Sequence, residues 1–363
     1  MDLYETSSLK LSLPLQTNNL LFVVVQSSDN KRISLEFNEG MIELACDLLN
    51  YVSITVCMHS KIKFRNPDTG ALIHEQDPFY TNKLEIILEK IVLVAYRCES
   101  HTYEFSDTGG FLGLIGHRGS GQDKNGDHRG SGQDKNGDHR GSGQDKNGGL
   151  MEYKENTLIS FRNALSKIDW IEFDVQLSDD IPVIYHDFYI KESGNPVNSK
   201  DSIKYFKEDD HLPPTLEYVL KNVKGGLNIE IKNQVGDLSG IPNLVDRILN
   251  VIYKNDYRKI IFSSFHPFVL MYLKMRVPHA RILLIYGKDN EHYDLKDSVT
   301  FCIRNNLSGM VFEYGTLDDE ALKILEYNKK DVYVYDVVSK EEYAICKEKN
   351  IKGIITDEID LLK

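Results

Sequence analysis

Acidic and basic side chains lie two residues apart on two apolar runs of this sequence. Glu172 and Asp174 stand in WIEFDVQL, and Glu230 and Lys232 stand in GLNIEIK. Because side chains alternate faces along a strand, both members of each pair point the same way. Three carboxylates that face one point repel one another unless a cation lies between them. The spacing therefore predicts a divalent cation bound by Glu172, Asp174 and Glu230, and oxygen ligands without cysteine favour Mg²⁺ or Ca²⁺ over zinc.

Each charged pair also has a purely structural interpretation. Two carboxylates on a strand commonly form a polar outer face, and a lysine that ends a strand commonly extends into solvent. In this chain helical patterns follow the strands, so charge on the outer face would be buried against a helix. Unpaired buried charge is costly, which favours the inward-facing, functional interpretation.

Two histidines and an arginine follow other apolar runs. His117 and Arg118 come directly after FLGLIG, and His186 ends PVIYH. Arg118 with Lys232 would form an anion pocket that suits a phosphate. The two imidazoles could then act as acid and base, one taking a proton from the attacking hydroxyl and the other giving one to the leaving oxygen. With a metal to stabilise the phosphoryl oxygens, the set is suited to phosphodiester cleavage.

From residue 111 onward, apolar runs alternate with helical patterns. Eight runs are predicted to be strands: FLGLIG from 111, WIEFDVQL from 170, GLNIEIK from 226, KIIFSSF from 259, ARILLIY from 280, GMVFEY from 309, DVYVYDV from 331 and GIITD from 353. PVIYHD is predicted to be a short extra strand that returns beside the second. Such alternation is typical of parallel βαβ units, and eight of them in about 250 residues predict a closed (β/α)8 barrel. Its active site would lie at the carboxyl ends of the strands, where the charged residues stand.

The first 105 residues have a different texture, with short β-rich runs between turn sequences such as SSDNKR and RNPDTGA. LKLSLPL, LLFVVVQS, ISLEF, YVSITVCM and KLEIILEKIVLVAYRC are predicted to be strands, and MIELACDLL to be helical. We therefore expect an all-β, sandwich-like domain over residues 1–105, ahead of a barrel over residues 111–363. No motif in this domain indicates chemistry, so docking, regulation, carbohydrate or lipid binding and a structural role all stay open.

The charge balance and the cysteines limit the partners and the compartment. Asp and Glu number 55 against 43 Lys and Arg, which gives a net charge of −12. This balance disfavours nucleic acid and anionic membranes as partners, because both attract clustered positive charge. The five cysteines are scattered without CxxC spacing, and MDLYETSSLK lacks the basic start and apolar run of a signal peptide. The sequence therefore predicts a cytoplasmic protein with free thiols and no membrane-spanning segment.

Residues 117–149 contain one eleven-residue phrase, HRGSGQDKNGD, three times, with the last copy ending in Gly. His117 follows FLGLIG, whereas His128 and His139 follow KNGD, a turn sequence that cannot be a buried strand. The first copy alone is therefore predicted to reach the active site. The units lack apolar residues, so two of them are expected to form a flexible surface excursion that turnover does not need.

Several short motifs, taken in order, resemble those of the glycerophosphodiester phosphodiesterases. They are HRG at 117, ENT at 155, EFDVQLS at 172, PVIYHD at 182, LPPTLEYVL at 212, LNIEIK at 227, SSF at 263 and GIITD at 353. The resemblance spans residues 112–363. It implies a TIM barrel that hydrolyses glycerophosphodiesters, for example glycerophosphocholine, to glycerol 3-phosphate and an alcohol with a divalent cation.

Residue roles are implied by the same resemblance. The matching positions are Glu172, Asp174 and Glu230 for the metal, His117 and His186 for the acid/base pair, and Arg118 and Lys232 for the phosphate. Glu155 of ENT matches a carboxylate that supports the cluster, and its alternative is an early helix residue placed for the helix dipole. Tyr335 stands where family members often have Trp, and substrate stacking and core packing are equal alternatives for it.

The chain departs from some family members in its domains. The interval between His186 and Glu230 leaves no room for the large subdomain that some members insert there. A cytosolic form with a separate N-terminal domain fits better, and in similar members that domain is carbohydrate-binding or C2-like.

Two other functions stay open. A similar barrel serves enzymes of the lysophospholipase D or sphingomyelinase D type, which act on lipid head groups, but no apolar loop is evident near the predicted strand ends. The second alternative is a non-catalytic phosphodiester-binding barrel, because the repeat lengthens an active-site loop. Intact candidates for every catalytic role favour an enzyme.

Overall fold

The computed structural model describes most of the chain from residue 103 onward and the β-strands before it. The described residues are the strands between 20 and 98 and the ranges 103–106, 113–120, 140–144, 150–233, 240–288 and 294–362. The chain divides into two compact units, residues 1–102 with 271–278, and residues 103–270 with 279–363.

The described strands of the first unit pair in antiparallel fashion. They are β1 (Leu20–Ser27), β2 (Ile33–Phe37), β3 (Gly40–Leu44), β4 (Tyr51–Cys57), β5 (Ile62–Arg65), β6 (Leu72–Gln76), β7 (Lys83–Leu88) and β8 (Ile91–Cys98). They form two four-stranded sheets with the orders β4-β1-β8-β7 and β3-β2-β5-β6. Strands β1, β2, β4, β7 and β8 coincide with predicted runs, and the sandwich-like domain stays a prediction.

Strand β3 lies where the sequence predicts a helix over MIELACDLL. That prediction is wrong for residues 41–44, because they pair in register with Ile33 to Glu36 of β2. Pairing with a neighbouring strand outweighs local helical propensity there. The predicted strand LKLSLPL lies outside the described residues.

The second unit contains a closed parallel barrel. Its strands in chain order are β9 (Gly113–Gly116), β10 (Arg140–Gln144), β11 (Leu150–Lys154), β12 (Trp170–Ser178), β13 (Ile181–Ile184), β14 (Gly226–Ile231), β15 (Ile260–Ser264), β16 (Arg281–Tyr286), β17 (Gly309–Glu313), β18 (Asp331–Tyr335) and β19 (Gly353–Thr356). Parallel pairing runs β12-β14-β15-β16-β17-β18-β19-β9, and β9 also pairs with β12, which closes the ring. The predicted (β/α)8 barrel is confirmed, and β13 is the predicted extra strand, antiparallel to β12.

Helices follow the barrel strands. They are α1 (Leu158–Leu165), α2 (Leu216–Asn222), α3 (Ile241–Lys254), α4 (Pro267–Arg276), α5 (Leu295–Arg304), α6 (Asp319–Tyr327), α7 (Lys340–Glu348) and α8 (Ile359–Leu362), with 3₁₀ turns at Lys200–Tyr205 and Tyr314–Thr316. Side-chain oxygens of Thr157, Thr215, Asp294, Asp318 and Ser339 cap five of the helices at their first turns. These caps satisfy backbone N–H groups that have no partner inside a helix, which fixes where each helix begins.

The barrel interior is filled by apolar side chains. The buried cluster comprises Ile115, Trp170, Ile261, Leu283, Ile285, Val311, Tyr333 and Ile355. Because side chains alternate along a strand, the residue two positions beyond each of these faces the same interior, nearer the carboxyl end. All eight strands run the same way, so these positions meet at one rim of the barrel.

No described helix is long and apolar enough to cross a bilayer. Cys302 and Cys346 are buried free thiols, as the scattered cysteines predict.

Candidate active site

The turn after β9 carries the first HRG. The His117 N–H donates to the Thr356 carbonyl at 3.0 Å, which extends the pairing of β9 with β19. Arg118 and Gly119 both have positive φ, at 49° and 90°. A Cβ at Gly119 would collide with Ser160 Oγ, so the conformation and the space both require glycine. The HRG sequence therefore forms a tight turn with left-handed backbone at Arg118 and Gly119, which changes the chain direction at the rim immediately after His117.

The His117 ring lies among carboxylates. Its Nε2 is 4.0 Å from Glu172 Oε2, and its Nδ1 is 3.4 Å from Asp357 Oδ2 and 3.8 Å from Asp336 Oδ1. Burial alone would lower the pKa of His117, but the carboxylates, Asp357 foremost, outweigh burial and raise that pKa to about 10. The surroundings thus favour the protonated imidazole.

Glu172, Asp174 and Glu230 form the predicted carboxylate cluster. Asp174 is paired in register with Glu230 on the neighbouring strand, and one oxygen from each of the three residues lies within 4.8 Å of the others. Glu172 and Asp174 are 4% and 1% exposed, so water does not screen their repulsion. Burial and then the Asp174 charge raise the pKa of Glu172 to about 8. Burial would also raise the pKa of Asp174, but Lys232, His186 and Arg118 overcome it and lower that pKa.

Arg118 and Lys232 lie against this cluster. The Arg118 backbone N–H donates to Glu172 Oε2 at 3.0 Å, its Nη1 donates to Glu155 Oε2 at 2.9 Å, and its Nε lies 3.4 Å from Asp174 Oδ2. Lys232 Nζ lies 3.4 Å from Asp174 Oδ1 and 2.9 Å from Glu230 Oε1. Two cations thus face four carboxylates.

The chemistry of these donors fits a divalent cation. If all four carboxylates are ionised, they exceed the charges of Arg118, Lys232 and a protonated His117 by one in a buried pocket. Hard oxygen donors from three carboxylates are the ligands that Mg²⁺ and Ca²⁺ prefer. The residues that would hold the ion are Glu172, Asp174 and Glu230.

His186 follows β13 on the same rim. The Gln176 side-chain amide donates to the Tyr185 and Asp187 carbonyls at 2.8 Å each, which fixes the backbone on both sides of His186. His186 Nδ1 lies 2.7 Å from Asp187 Oδ1, so Nε2 is left as the nitrogen for substrate. Burial, then Arg118 and Lys232, lower the pKa of His186, although 36% of its side chain is accessible. The surroundings of the two histidines therefore shift their pKa values in opposite directions.

A small cleft that is open to solvent adjoins His186. It is lined by Lys154, Glu155, Asn156, Tyr185, His186, Asp187, Lys191 and Pro213. The cleft places His186 beside Glu155 and Asn156, which contact Arg118 and Asp174.

Three site residues were not assigned roles from the sequence. Asn156 Nδ2 donates to Asp174 Oδ2 at 2.9 Å, Asp357 approaches His117, and Asp187 holds His186. Each stands inside a motif that carries the family resemblance, namely ENT, GIITD and PVIYHD. Membership of these motifs was therefore the sequence signal that could have identified the three residues. Their contacts with Asp174, His117 and His186 give the physical reason why they belong to the site.

The remaining predicted residues lie as follows. Glu155 contacts Arg118 and so orients the guanidinium. Tyr335 ends β18, packs partly against the barrel core and meets the Phe265 ring edge-on with 6.5 Å between centroids. His128 and His139 lie outside the described residues, but Arg140–Gln144 of the third copy form β10, which pairs with β11 in an antiparallel hairpin. Part of the third copy thus forms a strand, and the flexible excursion of two copies stays a prediction.

Comparison with protein families gives a match to the glycerophosphoryl diester phosphodiesterase family over residues 139–361. The match begins at the third HRG, whereas the structure brings the first HRG to the carboxylate cluster. A glycerophosphodiester phosphodiesterase of Arabidopsis thaliana is 25% identical over 260 residues, covering 57% of this chain and 69% of that protein. A glycerophosphocholine phosphodiesterase of Candida albicans is 26% identical over 290 residues, covering 54% of this chain and 23% of that protein.

Solved structures share the fold. A glycerophosphodiester phosphodiesterase from Parabacteroides distasonis superposes with a TM-score of 0.52 at 17% identity, covering 69% of this chain and 95% of its own. An Oleispira antarctica phosphodiesterase, solved with its product sn-glycerol-3-phosphate, gives a TM-score of 0.51 at 19% identity, covering 69% and 95%. Both comparisons cover nearly the whole of the other chain.

Proposed function

The chain belongs to the glycerophosphoryl diester phosphodiesterase family and is a phosphodiester hydrolase, and we propose that it converts glycerophosphocholine to glycerol 3-phosphate and choline. The observation that carries the proposal is the buried cluster of three carboxylates with Arg118 and Lys232 against it and His117 beside it. The glycerophosphocholine phosphodiesterase of Candida albicans, to which the chain is similar, supports glycerophosphocholine as the substrate.

The phosphate is proposed to bind at Arg118 and Lys232. Both cations already face Asp174, so they are held in place before substrate arrives and need little reordering. Glu155 supports this arrangement through its hydrogen bond with Arg118. Charge-assisted contacts from a guanidinium and an ammonium group suit the phosphoryl oxygens.

A divalent cation, Mg²⁺ or Ca²⁺, would be held by Glu172, Asp174 and Glu230, and when bound it supplies charge stabilisation to the phosphoryl oxygens. Asn156 orients Asp174 through its side-chain amide, and the Arg118 backbone N–H orients Glu172. Such supporting hydrogen bonds keep carboxylate ligands in position.

His117 and His186 are proposed as the acid/base pair. One imidazole takes a proton from the attacking hydroxyl, and the other gives a proton to the leaving alcohol oxygen. Each ring has a carboxylate at Nδ1, Asp357 for His117 and Asp187 for His186. The hydrogen bond with Asp187 orients the His186 ring, Asp357 attracts the protonated His117 ring across 3.4 Å, and Nε2 of each ring is left for proton transfer.

Other assignments accompany this proposal. Tyr335 is proposed to contact substrate at the rim, and residues 1–105 to form a separate β-rich domain ahead of the barrel at 111–363. The cytoplasmic location and the ligand of the first domain stay open predictions.

The proposal is tested by following glycerol 3-phosphate release from glycerophosphocholine, with and without EDTA, and after Mg²⁺ or Ca²⁺ is restored. We expect release that EDTA abolishes and one of the two ions restores. No release with either ion from this substrate, together with release of choline from lysophosphatidylcholine, would instead support the lipid-directed alternative. Tight binding of the diester without turnover would support a non-catalytic barrel.

A further inference from the structure

The rim opposite the carboxylate cluster is built from β16 to β18, and Phe265, which follows β15, meets Tyr335 of that rim. Counting around the eight-stranded ring, β17 lies four strands from β12, and β18 lies four strands from β14. Four steps in a ring of eight lead to the opposite wall. The rim residues there, which we call the aromatic half, are Phe265, Gly287, Glu313 and Tyr335.

Two rings form one wall of the aromatic half. Phe265 and Tyr335 meet at an interplanar angle of 88°, with 6.5 Å between centroids. Phe265 is 38% exposed, although it is a large apolar side chain at the end of a buried strand. A ring left open at a barrel mouth is available to a ligand, and aromatic faces attract cations.

A carboxylate lies beside these rings. A Cβ at Gly287 would collide with the Tyr335 hydroxyl and would lie 3.1 Å from Glu313 Oε2, so both oxygens converge over the bare glycine. Glu313 Oε2 also accepts the Lys288 backbone N–H at 2.8 Å. Glu313 is thus held with one oxygen toward Tyr335 and the space that Gly287 leaves.

Lys288 forms an ion pair with the other carboxylate oxygen of Glu313, Oε1. Its Nζ lies 3.0 Å from Glu313 Oε1, and a Cβ at Gly315 would lie 2.5 Å from the same nitrogen, so the ammonium group rests over Gly315. The Lys288 side chain is 60% exposed, and ion pairs at such exposure are weak. A ligand cation can therefore compete with Lys288 for the carboxylate.

We propose that Phe265, Glu313 and Tyr335 form a subsite for a substrate head group that carries an alkylammonium cation. The inference rests on the proposed function, because it places the phosphate at the opposite rim. The site of such a barrel lies at the carboxyl ends of its strands, so a diester bound by its phosphate on one side of the mouth can extend its head group to the other side. Ring faces attract the cation, Glu313 neutralises it, and Lys288 acts as an internal competitor.

The test compares three diesters that differ in head-group charge. Glycerophosphocholine and glycerophosphoethanolamine carry a cation, and bis-glycerophosphate does not. For Glu313→Gln we expect kcat/KM to fall about tenfold for the two substrates with a cationic head group and to change less than about twofold for the one with an uncharged head group. Lys288→Met should lower KM for the cationic substrates. Glu326→Gln, an exposed position on α6, is the matched control.

A second measurement separates this proposal from the proposed function. Tetramethylammonium should broaden its methyl NMR signal with the wild type and much less with Glu313→Gln, whether or not any diester is cleaved. Equal losses for all three diesters, or equal broadening with both proteins, would overturn the subsite. If the wild type cleaves none of the diesters, the proposed function fails and the broadening alone decides the subsite.

Discussion

The two sides of the barrel mouth are built from opposite kinds of side chain. On the side of β9, β12 and β14, buried acids and bases contact one another, and we call this side the charged half. On the side of β15 to β18, the rings of Phe265 and Tyr335 contact each other. The Glu313 carboxylate lies beside the Tyr335 hydroxyl and pairs with the exposed Lys288. In the charged half, hydrogen bonds and ion pairs hold the acids and bases against one another, whereas the aromatic half offers surfaces that different ligands can share.

This difference indicates a division of labour. Groups that stabilise charge in a reaction must be fixed in advance, because reorganisation during the reaction is costly. Groups that select a head group need only favour one charge or shape over another. Substitutions in the charged half should therefore reduce turnover of every substrate, while those in the aromatic half should change the preference among substrates.

The largest effect is expected for His117→Ala. Loss of one acid/base group should reduce kcat by about 1,000-fold for every diester. The double variant His128→Ala with His139→Ala should stay near wild type, because the first HRG alone follows a barrel strand. The measurement is steady-state release of glycerol 3-phosphate. A loss of more than about tenfold in the double variant would show that a later copy supplies the histidine, as the start of the family match at residue 139 would allow.

Glu230→Gln should have the next largest effect. It removes one charged ligand and the partner of Lys232, so turnover should fall by about 100-fold or more and the metal concentration for half-maximal activity should rise. The same substitution across the mouth, Glu313→Gln, is the matched control. If both variants lose activity equally on bis-glycerophosphate, whose head group is uncharged, the division between the two halves is wrong.

Asp357→Asn should have a moderate effect. Asp357 lies 3.4 Å from His117 Nδ1, and we expect kcat to fall about tenfold with little change in KM, because the ring loses its orientation. Asp357→Glu should restore part of the loss. Asp336→Asn should matter less, since its side chain is 51% exposed and lies 3.8 Å away. A change confined to KM would assign Asp357 to substrate binding instead of positioning.

Gly287→Ala should have the smallest effect on chemistry. The added methyl group meets the Tyr335 hydroxyl and must displace it, at a cost of about 1–3 kcal/mol in stability. KM for glycerophosphocholine should rise a few-fold, by our estimate of about 1 kcal/mol of lost contact, with kcat nearly unchanged. Thermal unfolding and steady-state kinetics measure the two effects. An unchanged melting temperature would mean that Tyr335 moves aside without strain.

The charged half could be predicted from the sequence, whereas the aromatic half largely could not. Buried parallel strands form continuous apolar runs, so all eight barrel strands were visible, and charges at their ends stand out. Phe265 and Glu313 end similar runs, but nothing local shows that they meet across strands. Likewise His117 and Asp357 are 240 residues apart in the sequence, and only the pairing of β9 with β19 brings them together.

Some elements were missed for local reasons. Helix α5 has the sequence LKDSVTFCIR, whose polar residues obscure its apolar face. Strand β10 has the sequence RGSGQ, without an apolar residue, so no hydrophobic pattern marks it and backbone pairing with β11 defines it. Strands β5 (IKFR) and β6 (LIHEQ) are short and have two apolar residues each, too few for a clear strand pattern.

The hairpin of β10 and β11 has a consequence for inheritance. Backbone pairing does not depend on which copy supplies RGSGQ, and residues 129–133 repeat the letters of residues 140–144. A gene that lost one copy during replication would encode a chain that still presents RGSGQ to Leu150–Lys154. Such alleles should then differ little in function. The length of this segment should therefore vary in natural populations by whole multiples of one copy.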